Sequence, residues 1–419
     1  MIQPLAAHKQ QGMAAIKALT FVMFMMFAMT TDSVGLIIPE IIKTFRLSMT
    51  AAGTFQYATM AGIGVAGFFL GHLADTFGRK RTIVLGLTLF AIASYLFAAG
   101  NSLAYFSALL GLSGAGIGVF KTGALALIGD LARSTKQHTS LMNTVEGFFG
   151  VGSIIGPAIL ARLLATGASW KELYTLAGTI CVVLILIALG AHYPRTMKAG
   201  QESMDLRHTV DAMKNRYALA FSLGAFLYVA TEAAVYVWMP TLLAGYKGSA
   251  VTFAAYSVSV FFVLRATGRF LGAWMLERYY WTPVLALFSG IILICFLGTA
   301  VGGSGAAVYL LPASGLFMSV IYPSINSKGI SCFPKSEHGA VAGVILFFTC
   351  LSAVAGPLAM GAVSDAMGNP KYGFILATGF AALLFLGLLL NWMFDPTREL
   401  LNGLDETEYQ GAQKNPAAT

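Results

Sequence analysis

Gly71-His72-Leu73-Ala74-Asp75-Thr76-Phe77-Gly78-Arg79-Lys80-Arg81 is the point where one apolar run closes and the next opens. One acid, a basic cluster and two glycines crowd into a short polar step. Residues 51–75 lead into it and residues 82–99 follow it, and both stretches are mostly apolar. Runs of roughly 20 mostly apolar residues recur along the whole chain, each long enough to cross a bilayer as a helix. The 419 residues are 57% hydrophobic and only 11% charged, with a mean hydropathy of +0.75. A soluble domain carries about 25% charged residues, so this composition cannot clothe a water-facing surface. In lipid the backbone must satisfy its own hydrogen bonds, which leaves helices or closed barrels. The runs are too long for barrel strands. The reading is an all-α polytopic membrane protein.

Twelve spans are expected, at 15–42, 51–75, 82–99, 104–130, 139–166, 172–192, 217–245, 250–276, 282–301, 306–330, 338–364 and 372–394. The longest polar interruption, 193–216, separates two six-helix bundles, 1–192 and 217–394, and a polar tail expected to be mobile covers 395–419. The halves echo each other. Thr31-Asp32 before Pro39 matches Thr231-Glu232 before Pro240, Gly71 matches Gly272, and Gly156-Pro157 matches Gly356-Pro357. Two halves, each with an acid inside an apolar segment, make the pseudo-symmetric design of many secondary transporters.

The formal charge of +8 does not point to nucleic acid. With the N-terminus in the cytoplasm, most Lys and Arg residues fall inside, including Arg79, Lys80, Arg81, Arg133, Lys136 and the central linker. Only Lys43, Arg46, Arg162, Lys171, Lys247 and Lys371 fall outside. This is the positive-inside bias, and it places both termini in the cytoplasm. The four cysteines, Cys181, Cys295, Cys332 and Cys350, show no metal or redox spacing. The first apolar stretch is too long for the core of a cleavable signal. No metal cluster, nucleophile elbow or phosphate loop suggests an enzyme or a resident cofactor, and the short loops leave no room for a soluble catalytic domain.

The opening motif resembles the G-x-L-x-D-x-x-G-R-K/R loop of the major facilitator superfamily. That resemblance implies a gate in which Gly71, Asp75, Gly78, Arg79 and Lys80 form a breakable charge latch, joined by Glu277 and Arg278 from the degenerate second copy, Gly272 to Arg278, and by Arg269 near the cytoplasmic end of span eight. Thr76 stands where the family usually carries a base, which weakens the expected latch. Gly361-x-x-x-Asp365-x-x-Gly368 repeats the spacing. The run Gly315 to Ile330, with Gly268-Arg269-Phe270-Leu271-Gly272 and Val363-Ser364-Asp365-Ala366-Met367-Gly368-Asn369, is similar to the L-fucose:proton symporter subfamily of sugar permeases. The implied activity is monosaccharide uptake coupled to H+, or to Na+ in some relatives.

A charge inside a span is costly and therefore a functional candidate. Asp32, Glu232 and Glu146 are the candidates for proton or cation coupling. In the subfamily the proton-carrying Asp, aligned on Pro39, would fall at Gly35; Asp32 is displaced by nearly one turn. Lys121 departs from the acid that relatives carry. It is expected to pair with Asp32 or Glu146, or to bind an anionic group. Substrate-binding candidates are Lys121, Asn143, Glu146, Glu232, Tyr236, Trp238, Arg265, Tyr322 and Asn326. Acids, amides and aromatic rings together suit a sugar's hydroxyls and its C–H face. Arg265 is read as a gate partner or an anion ligand.

These readings converge on alternating-access symport of a neutral hexose, deoxyhexose or related sugar with H+, by a monomer in a bacterial inner membrane. The alternatives are Na+ coupling, or an anionic or N-acetylated sugar or other small organic anion, suggested by Lys121 and Arg265. A non-transporting sugar receptor is the reading from a different class.

Overall fold

The computed structural model describes residues 3–46, 54–194, 206–243 and 246–410. Helices joined by short turns make up the architecture, with no strand among the described residues. The first half holds α1 (Gln3–Thr31), α2 (Val34–Phe45), α3 (Thr54–Leu70), the short α4 (Leu73–Thr76), α5 (Arg79–Leu96), α6 (Leu103–Leu131), α7 (Thr135–Ala165) and α8 (Lys171–Gly190). In the linker lies α9 (Leu206–Lys214). The second half begins with α10 (Arg216–Ala233), which runs through a π-helical turn, Ala234–Trp238, into α11 (Met239–Leu243). It continues with α12 (Val251–Ala255), α13 (Ser257–Leu276), α14 (Trp281–Met318), α15 (Ile321–Ser331), α16 (His338–Ala366) and α17 (Pro370–Phe394). Beyond these come α18 (Arg398–Leu404) and a π turn, Asp405–Gln410.

Nine helical segments among the described residues are long and apolar enough to cross a membrane, and Tyr57–Leu70 is a shorter apolar one. Helix α14 counts for two crossings. Its 38 residues would run about 57 Å at 1.5 Å per residue, nearly twice the hydrocarbon thickness. The helix breaks at Gly303, whose φ of 61° and ψ of −150° suit a residue without a Cβ. Helix α5 carries Arg79, Lys80 and Arg81 in its first turn and is apolar thereafter. The pattern is consistent with twelve spans.

Packing repeats across the halves. In the first, α3 and α5 pack on α6, and α1 packs on α7; in the second, α10 packs on α16 and α14 on α17. The halves meet along α3 with α16 and along α7 with α13, which are equivalent pairs under the repeat. At Gly156 an added Cβ would lie 2.1 Å from the Met29 carbonyl oxygen, and at Gly356 it would lie 3.0 Å from the Ala230 Cα. These glycines therefore let α7 and α16 press against the segments that carry Asp32 and Glu232. Without a hydrophobic drive between helices in lipid, such close approach supplies much of the association. The outer face is apolar: Leu186, Ile294, Val301 and Phe394 are all more than 60% exposed, as a lipid-facing belt requires.

The tail differs from expectation. Up to Gln410 it is helical and docked, with Leu401 and Tyr409 buried. The Asp405 carboxylate accepts hydrogen bonds from the Thr135 N–H at 2.6 Å and the Thr135 hydroxyl at 3.1 Å. The first turn of α7 has unpaired N–H groups that an acid can satisfy. Two apolar anchors and one acid hold a segment whose overall polarity suggested a loose end. Linker residues 195–205 and tail residues 411–419 lie outside the described residues.

Candidate transport site and gate

Both acids of the sequence repeat sit where a span loses regular helical form. Asp32 lies in the break between α1 and α2, where Ser33 Oγ donates to the Met29 carbonyl at 2.6 Å. Glu232 lies at the end of α10, just before the π turn. Pro240 explains that turn: it has no N–H to return to Tyr236, so the ladder widens there.

A cavity of about 570 Å³ lies between the halves. Asp32, Lys121, Glu146 and Phe149 line it from the first half, and Glu232, Tyr236, Phe262, Arg265, Arg269 and Tyr322 from the second. Thr349 and Cys350 on α16 complete one wall. All four cysteines are free thiols, and Cys350 is the one on this wall.

Within the cavity the charges sort into pairs. Arg265 Nε lies 2.7 Å from Glu232 Oε1. Its N–H is not aimed at that oxygen, so the contact is ionic rather than an aligned hydrogen bond. Tyr228, one turn before Glu232, donates its hydroxyl to the same oxygen. Arg269 lies 3.3 Å from Glu146 Oε2 and donates to the Glu146 carbonyl at 2.8 Å. Asp32 and Lys121 form no ion pair among the described residues. Lys121 Nζ instead sits 4.8 Å from the centre of the Phe149 ring and 5.9 Å from that of Phe24, a cation–π setting.

Asp32 has a partner suited to both of its protonation states. The Ser153 hydroxyl lies against Asp32 Oδ2 and also 3.1 Å from the Phe149 carbonyl. A hydroxyl has one hydrogen to give. When Asp32 is ionised, Ser153 donates to it. When Asp32 is protonated, the acid donates to Ser153 Oγ and Ser153 turns its hydrogen to Phe149. Ser153 and Asp32 Oδ2 stay paired in either state, while Asp32 Oδ1 meets the Thr31 hydroxyl at 3.4 Å, which also lies 3.1 Å from the Phe27 carbonyl.

Other candidates fall elsewhere. Asn143 donates to the Thr139 carbonyl at 2.9 Å and to Ser324 Oγ at 3.4 Å. Asn326 is buried, with its side-chain oxygen unpartnered. Trp238 packs close to Gly361. None of the three lines the cavity.

One end of the interface is sealed. Arg79 bonds Asp75 and Asp130 and donates to the Lys335 carbonyl across the interface. Asp75 accepts from the Gly339 and Ala340 N–H groups at 3.0 and 2.9 Å, in the first turn of α16. Gly78, with φ 89°, makes the turn into α5. Thr76 returns its hydroxyl to the His72 carbonyl, so the latch closes through Arg79 without it. Glu277 accepts from Ser140 at 2.7 Å across the interface. Lys80 instead caps the Leu189 and Ala191 carbonyls of its own half, and Arg278 stacks on Trp274. His138 meets Ser327 and Ser331 at the same end.

Sequence reasoning passed over Ser153, Tyr228, Phe149 and Asp130, and it read the tail as mobile. Helical spacing carried a signal for three of them. Ser153 and Phe149 fall on the Glu146 face of α7, two turns and one turn on, and Tyr228 stands one turn from Glu232.

Residues 20–357 match the Major Facilitator Superfamily. The chain belongs to the major facilitator superfamily. It is a membrane transporter of that family and not an enzyme. It is 25% identical over 402 residues to a glucose/galactose transporter of Brucella abortus biovar 1 (strain 9-941), covering 92% of this chain and 95% of the relative. It is 24% identical over 386 residues to Protein TsgA of Salmonella typhimurium (strain LT2), covering 88% and 93%. Among solved structures, FucP in the outward conformation, the E. coli fucose:proton symporter, gives a TM-score of 0.77 at 21% identity, over 90% of this chain and 99% of that one. The proton:xylose symporter XylE gives 0.75 at 12% identity, over 92% and 96%. At these identities the structural likeness speaks for the major facilitator fold.

Proposed function

We propose that this transporter takes up a monosaccharide together with a proton. The observation that carries the reading is Asp32, a cavity carboxylate whose Ser153 partner serves it with or without a proton. Around it, Tyr236, Phe262 and Tyr322 offer ring faces and hydroxyls, and Glu232 and Glu146 offer acceptors, which is the chemistry of sugar recognition. The glucose/galactose relative and the fucose and xylose symporters of the same fold support the substrate class and the coupling.

In this reading residues 1–192 rock against residues 217–394 about the cavity, with 193–216 as linker. The end sealed by Asp75, Arg79 and the tail faces the cytoplasm of a bacterial inner membrane, where the basic loops lie. The latch and the tail must part for substrate to leave inward.

The test is uptake in proteoliposomes with recorded pH. Sugar-induced alkalinisation outside, lost in Asp32→Asn while sugar counterflow survives, is the expected result. Sugar transport that follows a sodium gradient and moves no protons would overturn the assignment of Asp32.

A further inference from the structure

We propose that the sugar carries a single negative charge, a carboxylate received by Lys121 once Asp32 has taken up a proton. The inference rests on the reading of the cavity as a sugar:proton site and adds the chemical class of the sugar.

Three carboxylates and three basic side chains line the cavity: Asp32, Glu146 and Glu232 against Lys121, Arg265 and Arg269. Arg265 is engaged by Glu232 and Arg269 by Glu146. That leaves Asp32 and Lys121, which line the same half of the cavity and balance each other in charge without forming an ion pair among the described residues. A proton on Asp32 removes that balance, and the cavity then holds one uncompensated positive charge, on Lys121. Carrying a net charge through an occluded, poorly hydrated state is costly. A monoanionic substrate cancels it.

Lys121 is built to receive such a group. Its ammonium has three hydrogens to donate, and it makes no hydrogen bond to the protein among the described residues. The Phe149 and Phe24 rings flank it and offer no oxygen or nitrogen acceptor for those hydrogens. Arg265 is already occupied and does not serve. A sugar phosphate with two charges would overshoot the balance by one, so an aldonate or uronate fits and a phosphorylated sugar does not. Coupling follows directly: while Asp32 is ionised its field offsets that of Lys121, and the anion gains its full attraction only after the proton arrives.

The experiment uses the full chain in proteoliposomes, with glucuronate, gluconate, glucose, galactose and N-acetylglucosamine, each under an imposed pH gradient or an imposed membrane potential. The expected result is sugar-acid uptake driven by the pH gradient and indifferent to the potential, because one proton and one monoanion together carry no charge. Lys121→Gln should reduce that uptake by roughly 30-fold or more, the scale for removing one partner of a desolvated charge contact, and Lys121→Arg should restore part of it. Uptake of a neutral sugar that is accelerated by an inside-negative potential and ignores sugar acids would overturn the inference while leaving sugar:proton symport standing. Proton-coupled uptake of no sugar at all would overturn both. If Lys121→Gln does not fold, the response of the wild type to potential decides the matter alone.

Discussion

Asp75 of the first half caps the helix that opens at His338 in the second, accepting from the Gly339 and Ala340 N–H groups. The same carboxylate is held by Arg79. One side chain thus ties a turn beyond the second span to the start of the eleventh, and parting the halves strips it of two donors at once, leaving it only Arg79 of its own half. Asp75→Ala should open the sealed end. Losing a buried, charge-assisted network costs about 3–5 kcal/mol, enough to reverse a modest conformational preference. Spin-label distances across that end would show it as a longer population replacing the short one.

The latch should also respond to pH. Burial pushes the Asp75 carboxyl up to about 6 from 3.8, against the pull of Arg79 and the two N–H groups. In the parted state the group meets water and returns to its ordinary value. The sealed state therefore binds the proton more tightly. Its advantage is fully present below the ordinary value and is lost as pH rises through 6. The sealed population should be larger at pH 5 than at pH 8, and Asp75→Asn, neutral throughout, should flatten the profile. Spin-label distances at the two pH values provide the check; an opposite trend would refute the assignment.

Arg269 and Glu146 join α13 to α7 from buried positions. Removing one charge leaves the other stranded, so Arg269→Ala should cost about 3–5 kcal/mol, whereas replacing both with apolar residues of similar volume should cost far less. Thermal unfolding in detergent of the two singles and the double measures the coupling directly.

Docking of the tail predicts a milder effect. Asp405→Ala removes the acceptor at the start of α7 and should cost about 0.5–2 kcal/mol, the worth of a helix cap. Hydrogen exchange over residues 135–140 should quicken, and exchange in α5 should not change.

The two interface glycines are equivalent in the repeat but not in their tolerance. A Cβ at Gly156 would collide with the Met29 carbonyl, while at Gly356 it would sit at 3.0–3.1 Å from Ala230. Gly156→Ala should destabilise by about 1–3 kcal/mol or misfold, as overpacking does. Gly356→Ala should fall at the low end of that range. Melting temperatures in detergent separate them.

Much of this architecture is written in the chain. Apolar run lengths give the spans, and the placement of Gly71, Asp75 and Arg79 gives a tight, charged turn between two of them. The acids and bases inside spans are visible as anomalies wherever they occur. Their partners are not. Nothing local says that Glu232 meets Arg265 rather than Lys121, because the choice depends on how α10 and α13 pack around the cavity. The break at Asp32 is equally hidden, since neither Asp32 nor Ser33 is a proline or glycine. The tail misled because two buried side chains, Leu401 and Tyr409, outweigh a polar composition.

Cys350 stands on the cavity wall, beside Gly64 of the opposite half, where an added Cβ would lie 3.0 Å from its own. The other three thiols lie away from that wall. Cys350 is 5% exposed and pressed against the opposite half, so a small alkylating reagent entering where the sugar does reaches this thiol only when the halves part there. The rate of its modification becomes a clock for occupancy: a bound sugar should protect it, and a shift toward the opposite face should change which side of the membrane delivers the reagent. The transporter can report its own turnover without an engineered label.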